Sequence, residues 1–112
     1  MIVEESRELI ATYLKTTFTK AKIGVGGNST SPLAENLDVE IQSVSTVNSA
    51  SNSNAIDFKF TIVGASVVGY VIRELGIFNA DYSKMLTRIN FDGIGPFASG
   101  EDVDFFVTIE VE

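Results

Sequence analysis

The chain has 112 residues, 45% of them hydrophobic, which predicts one domain spanning residues 1–112 around a single core. Its formal net charge of −7 argues against nucleic acid as a partner, because nucleic acids are bound mainly through cations that contact phosphates. The chain contains neither cysteine nor histidine, which excludes disulfide bonds, thiolate metal sites and catalytic arrangements built on histidine.

The N-terminal segment, residues 1–20, is predicted to form a helix. Glutamates favour its positive end, and an apolar stripe recurs at helical spacing. The stripe consists of Leu9, Ile10, Tyr13, Leu14 and Phe18. We expect this stripe to cover a sheet, with docking on a neighbouring subunit as the alternative. The acidic start is unlike a signal peptide, and no apolar run approaches membrane-spanning length, so the sequence predicts neither export nor membrane insertion.

A strand and then a polar segment are predicted next. Residues 37–42 alternate between apolar and polar side chains, as a strand with one buried face does. Residues 43–54 are dominated by serine and asparagine, which bury too little apolar surface to offset the entropy of ordering. We therefore predict a flexible loop over residues 43–54 that is dispensable for folding, with receptor contact as the alternative.

Four further strands are indicated by the second half of the chain. Residues 56–63 alternate cleanly, and residues 67–79 are apolar on both faces, as in the central strand of a sheet. Residues 72–81 and 85–91 predict a hairpin joined at Asp81–Lys84, and the strand that begins at Val103 again alternates. The whole pattern predicts a mainly β protein: an antiparallel β-sandwich of about six strands with one N-terminal helix.

Three short segments resemble a known family. Residues 22–32, 72–81 and 85–91 resemble the IxVGxGxTxP, IxExGLFxAxG and LxRxxF motifs of small virion-associated structural proteins of tailed phages. The chain departs from these motifs at Gly27–Asn28 and at Tyr82, where a turn glycine is usual. The resemblance implies a structural subunit of the virion, made in the host cytoplasm and placed at the tail, baseplate or fibre base.

No group of residues indicates catalysis. Without histidine, an acid–base mechanism would need two carboxylates, as in glycoside hydrolases, and nothing singles out Glu74 with Asp92 or Glu40 for that role. We therefore predict no enzymatic activity and no cofactor.

Two other sets of charged residues have structural interpretations. Asp102 and Asp104 are weak candidates for a calcium-like site, but a solvated acidic strand start that protects a sheet edge is the preferred interpretation. Glu74 and Arg88 lie on adjacent predicted strands and are predicted to form a structural salt bridge.

An apolar patch predicts self-association. Ile94 and Phe97 lie in a glycine-rich connection, and Phe106 is out of phase with the inward positions of the last strand. Acids surround this patch, so the predicted partner supplies cations. The available ones are Arg7, Lys15 and Lys20 of a neighbouring copy. This would be a head-to-tail contact that closes into a ring, with a trimer favoured, unless the N-terminal helix covers the patch within one chain.

Two other functions stay open at the level of sequence. The chain is also consistent with a capsid decoration or head-fibre protein. It is further consistent with a carbohydrate-binding module that recognises a host-surface glycan, with Tyr70, Tyr82 and residues 43–54 as candidate contacts.

Overall fold

The computed structural model describes residues 2–26, 40–45, 48–52 and 54–112. For residues 40–45 and 48–52 it describes the backbone alone. Two antiparallel sheets and one helix make up this part of the chain. The elements are α1 (Glu4–Thr17), β1 (Lys20–Gly24), β2 (Glu40–Ser45), β3 (Asn48–Asn52), β4 (Ala55–Ile62), β5 (Ile72–Phe78), β6 (Met85–Ile94) and β7 (Val103–Glu110). Residues 27–39, which include part of the first family motif and the start of the strand predicted at 37–42, lie outside the described residues.

The two sheets enclose a single apolar core. The first sheet has the strand order β2-β1-β5-β6 and the second has the order β3-β4-β7. The described core cluster takes residues from both sheets and from the helix. Its buried members are Ala11, Ala21, Ile23, Ile56, Phe58, Phe60, Ile62, Val67, Ile72, Leu75, Ile77, Phe97, Phe105 and Val107. The predicted antiparallel sandwich with one N-terminal helix is therefore confirmed. The described residues contain seven strands instead of about six.

A loop was predicted over residues 43–54, but residues 43–45 complete β2 and residues 48–52 form β3, so that prediction was wrong for these residues. β2 pairs with β1 from Ser45 opposite Lys20, and β3 pairs with β4 from Asn48 opposite Lys59. Both new strands lie at the edge of their sheet. An edge strand is held by backbone hydrogen bonds to its one neighbouring strand, so it needs few apolar side chains. Serine and asparagine are therefore tolerated there. The reason for expecting this segment to be dispensable no longer holds.

The helix faces the core with only part of its predicted stripe. Ala11 is fully buried, and Leu14 and Phe18 pack against the core cluster, whereas Leu9 and Tyr13 are exposed. The small Ala11 side chain lets the helix backbone approach the sheet. The expectation that the whole stripe covers the sheet was wrong. No helix in the described part of the chain is long and apolar enough to span a bilayer.

The strands predicted in the second half of the chain are present. β4 buries its alternate side chains, β5 and β6 form the predicted antiparallel hairpin, and β7 alternates as expected. β5 is an interior strand, but it begins only at Ile72, because residues 64–66 form a 3-10 turn and Gly69 adopts a φ of 79°. The extended strand predicted from residue 67 was therefore too long.

Gly64 marks a close approach between two turns. A Cβ atom at Gly64 would lie 2.0 Å from the carbonyl oxygen of Glu101 and 2.6 Å from that of Ala98. Both atoms belong to backbone that cannot simply rotate away. Gly64 N–H also donates to Asp102 Oδ1 at 3.0 Å, which fixes the turn before β5 to the turn before β7.

We expect Gly64→Ala to destabilise the fold by about 3 kcal/mol or more, because the added methyl group forces two backbone segments apart. Gly100→Ala is the matched control, since a Cβ at Gly100 meets nothing within 4 Å. Urea unfolding of both variants measures the difference. Equal stability of the two variants would contradict the close approach.

Candidate functional site

Glu74 is fully buried on the side of the first sheet that faces away from the core. Its neighbour Leu75 faces the core, and alternation along β5 places Glu74 on the opposite side. It pairs with Gly24 on β1 and with Asn90 on β6. Its Oε2 accepts a hydrogen bond from the backbone N–H of Gly26 at 2.7 Å. This contact ties the backbone that leaves β1 to the middle of β5.

The predicted pair of Glu74 and Arg88 lies on this same side. Arg88 is opposite Gly76, so it occupies a position diagonal to Glu74, and Asn90 occupies the position directly across. The Glu74–Arg88 salt bridge therefore stays a prediction. The predicted absence of enzymatic activity also stays a prediction.

A lysine and two aromatic rings lie on the same side of the first sheet. Lys22 Nζ is 4.9 Å from the ring centroid of Phe78 and 5.0 Å from that of Tyr82. The two rings are tilted by 50° with centroids 6.0 Å apart. Only 8% of Lys22 is exposed, so the ring faces replace part of the hydration that the ammonium group has lost.

Tyr82 reaches Lys22 from a left-handed turn position. Its φ is 61°, the region that glycine usually occupies. The turn is closed by Asn79, whose N–H donates to the carbonyl of Lys84 at 3.0 Å and whose Oδ1 accepts from the N–H of Lys84 at 2.9 Å. The departure from the usual turn glycine thus has a physical reason, because glycine would leave Lys22 without the second ring.

Asp81 stabilises the same turn. Its Oδ1 accepts hydrogen bonds from Ser83 Oγ at 2.6 Å and from Ser83 N–H at 3.1 Å. These bonds, the side-chain bond first, lower the pKa of Asp81. Since the folded pKa lies below the unfolded one, this stabilisation is present above the unfolded pKa and is lost as the pH falls through the folded pKa.

The acids before and within β7 each accept a different hydrogen bond. Asp104 Oδ1 accepts from Thr61 Oγ1 at 2.5 Å, and Glu101 Oε1 accepts from the N–H of Ala98 at 2.9 Å. Asp102 Oδ1 accepts from the 3-10 turn, as described above. No group of three or more metal-ligating side chains is assembled among the described residues. Asp102 and Asp104 therefore have structural partners instead of a shared centre.

Phe97 differs from its predicted role in an interface, whereas the role of Ile94 stays a prediction. Phe97 belongs to the core cluster, and its carbonyl accepts a hydrogen bond from the N–H of Gly69 at 3.1 Å. It is buried within its own chain and needs no neighbouring copy. Ile94 lies at the end of β6 opposite Ile72 and is exposed.

The three predicted partner cations are all half-buried in their own chain. Arg7 lies on the side of α1 that carries Ala11, and its Nε is buried without an acceptor among the described residues. Lys20 lies on β1 opposite Phe78. The ring contact that uses these three residues stays a prediction.

Phe106 is the most exposed aromatic residue described, at 71%, and it lies on the outer side of β7 as predicted. Lys59 of β4 is directly opposite, with Nζ 5.7 Å from the ring centroid. On one side of this pair Thr61 donates to Asp104, and on the other Thr108 Oγ1 donates to Asp57 Oδ1 at 2.7 Å. We call these six residues, Asp57, Lys59, Thr61, Asp104, Phe106 and Thr108, the Phe106 surface. It is an ordered polar frame around one exposed ring.

The helix and the two residues before it carry a second exposed apolar surface, and sequence reasoning assigned Leu9, Ile10 and Tyr13 of this surface to the sheet. We call it the helix outer face. It consists of Ile2, Val3, Ser6, Leu9, Ile10 and Tyr13. Two apolar stripes on one helix are the signal that would have found it. Only one stripe fits against the core, and the stripe that contains Ala11 is the one that does.

The residues proposed for glycan contact lie in different elements. Tyr82 of the β5–β6 turn contacts Lys22, and residues 43–45 and 48–52 lie in strands. Tyr70 is exposed near the start of β5. The glycan hypothesis stays a prediction.

Comparison with known proteins adds no assignment. No protein-family model matches the chain, and no curated protein sequence is significantly similar to it.

We expect Glu74→Ala to lower the free energy of unfolding by about 3 kcal/mol, because it leaves a cavity and removes the acceptor of the Gly26 N–H. Glu74→Gln is the control, since its amide oxygen can still accept that hydrogen bond, and its cost should be about 1 kcal/mol. Thermal unfolding of both variants tests this. A glutamine variant as unstable as the alanine variant would show that the hydrogen bond to Gly26 is not what matters.

We expect Tyr82→Gly to destabilise the protein even though glycine relieves a positive φ. The variant gains about 1 kcal/mol from the backbone but loses the ring contacts with Lys22 and Phe78, worth about 1–2 kcal/mol together. A double-mutant cycle with Lys22→Met isolates the cation–ring contact, with an expected coupling of about 0.5–1 kcal/mol. Strict additivity of the two substitutions would rule this contact out as a stabilising one.

Proposed function

We propose that this chain is a structural subunit of a tailed phage or related virus particle, placed at the tail, baseplate or fibre base, and that it acts by assembly. The observation that carries the proposal is the Phe106 surface. An aromatic ring that is 71% exposed, yet held in a fixed polar frame, has the composition of an interface centre with a polar rim. The resemblance of the strand motifs to small virion proteins supports the same conclusion.

Burial of the Phe106 ring would supply much of the contact energy. Removing an aromatic ring of this size from water contributes about 2–3 kcal/mol. The frame already fixes the side chains around the ring, so little rotamer entropy is lost when a partner binds. An assembly subunit gains from such pre-organisation.

The partner of the Phe106 surface carries positive charge. Asp57 and Asp104 outnumber the single Lys59 in the frame, and Glu110 is exposed further along β7. A basic partner removes this excess of negative charge, whereas a second acidic surface would add to it. The partner is a cationic surface of another copy, in the predicted homo-oligomer with a trimer favoured, or of another virion protein.

A capsid decoration or head-fibre protein would use the same surface. Locating a tagged copy on negatively stained particles separates this alternative from a tail, baseplate or fibre position. A glycan-binding module is the rival from another class, and a glycan-array signal that depends on Phe106 would favour it over assembly.

The proposal predicts that the protein co-purifies with particles through Phe106. Tagged wild type, Phe106→Ser and Tyr70→Ser are each supplied in cells that produce the particle, and the particles are isolated on a density gradient. Wild type and Tyr70→Ser should be incorporated equally, because Tyr70 is an exposed aromatic residue outside the Phe106 surface. Incorporation of Phe106→Ser should be at least about tenfold lower, which is equivalent to about 1.4 kcal/mol of binding free energy.

Two outcomes would contradict this. Particles without tagged wild-type protein would remove the virion assignment. Equal incorporation of Phe106→Ser would keep the virion assignment but remove the Phe106 surface from the contact. Unfolding of the purified variant serves as the control, and Phe106→Ser should match wild type within about 0.5 kcal/mol because the ring is mostly exposed.

A further inference from the structure

The helix outer face exposes more apolar side chains than any other element described. Leu9 is 70% exposed, Tyr13 63% and Val3 60%, and Ile2 and Ile10 are also exposed. Leu9, Ile10 and Tyr13 lie on one side of α1, where positions three and four apart are neighbours. Ile2 and Val3 lie in the segment just before the first helical residue, Glu4. Contiguous apolar surface of this kind marks an interaction site more often than chance exposure of single residues does.

The opposite side of the helix is occupied by its own fold. Ala11, Leu14 and Phe18 pack on the core, half a turn of the helix away from Leu9. The helix therefore has two apolar stripes, of which the described core covers only one.

We propose that the occupant of the helix outer face is the same face of a second copy, packed antiparallel about a two-fold axis between Leu9 and Ile10. This axis places Leu9 opposite Ile10 of the second copy and Tyr13 opposite Ser6 of the second copy. Tyr13, the largest side chain of the face, then meets Ser6, the smallest, which leaves room for the ring between the two helices. The inference stands apart from the proposed function, because it uses another surface.

The charges of the helix select the antiparallel direction. Glu4, Glu5 and Glu8 all lie in its first half. A parallel pair would bring these glutamates of both copies to one end and would align the two macrodipoles. In the antiparallel pair, Glu5 is instead beside Thr12 and Thr16 of the second copy, and the macrodipoles oppose one another. Like charges are thereby kept apart.

Two other occupants fit the charges less well. Helices that lie on membranes carry Lys and Arg on their polar side, whereas the polar side of α1 carries three glutamates that anionic lipid repels. The Phe106 surface of another copy is also acidic, so it would face these glutamates with like charge. A second helix outer face avoids both conflicts.

Cysteine cross-linking tests the arrangement directly, because the natural chain has no cysteine. Ile10→Cys lies next to the proposed axis and should form a disulfide-linked dimer under mild oxidation. Ser6→Cys mixed with Tyr13→Cys should cross-link at least tenfold faster than either variant alone. Ala80→Cys, exposed in the β5–β6 turn, is the control and should stay monomeric. In sedimentation experiments, Leu9→Ser should weaken dimerisation of the purified protein at least tenfold.

Any one of the following four results would overturn the proposal. Wild type that sediments as a monomer at about 100 μM shows that no such dimer forms, because specific complexes typically have dissociation constants below this concentration. If Ser6→Cys and Tyr13→Cys each cross-link faster alone than in the mixture, the two helices pack in parallel. Wild type that co-sediments with phosphatidylcholine vesicles shows a lipid occupant. Loss of the Ile10→Cys cross-link on adding Phe106→Ser shows that the contact uses the Phe106 surface. Because these assays need no particle, they can succeed or fail separately from the virion assignment.

Discussion

The pairing of β4 with β7 in a single register determines both sides of the second sheet. Phe60 lies opposite Phe105, and their rings stack in the core with centroids 5.1 Å apart and planes 12° from parallel. One position along, Lys59 lies opposite Phe106 on the outside. Because side chains alternate between faces, a slip of one residue would exchange these pairs and bring Lys59 into the core. The buried aromatic stack therefore holds the exposed ring in place.

The first sheet places its polar chemistry differently. Its outer side buries Glu74 and Lys22, and the half-buried Tyr82 of the β5–β6 turn contacts Lys22. These contacts hold the backbone near Gly26 and the β5–β6 turn. None of them overlaps the Phe106 surface or the helix outer face. Structural polar groups and exposed apolar groups are thus separated, so substitutions at the exposed surfaces can test binding without first unfolding the protein.

Periodicity was sufficient to predict the elements that alternate strongly, namely β4, the β5–β6 hairpin and β7. It failed where position in the sheet outweighed local composition, as for residues 43–45 and 48–52, which lie in edge strands beside well-formed neighbours. It also left the facing of the helix open, because Leu9 and Leu14 are equally apolar and only packing decides between them. The hydrogen bond from Gly26 to Glu74 joins residues far apart in the chain, and no spacing rule reveals it.

The connectivity of the two sheets has a consequence for how the chain folds. The β5–β6 hairpin joins strands separated by a short turn, whereas each residue of β4 finds its partner in β7 about 40 to 55 residues away. Closing a long loop costs more entropy than closing a short one, so the second sheet depends on pairing that is entropically expensive. Until β7 pairs, β4 has a neighbour on only one edge, β3, and the ring of Phe60 lacks its stacking partner Phe105. The strand that carries the exposed Phe106 is therefore also the strand that completes this part of the core.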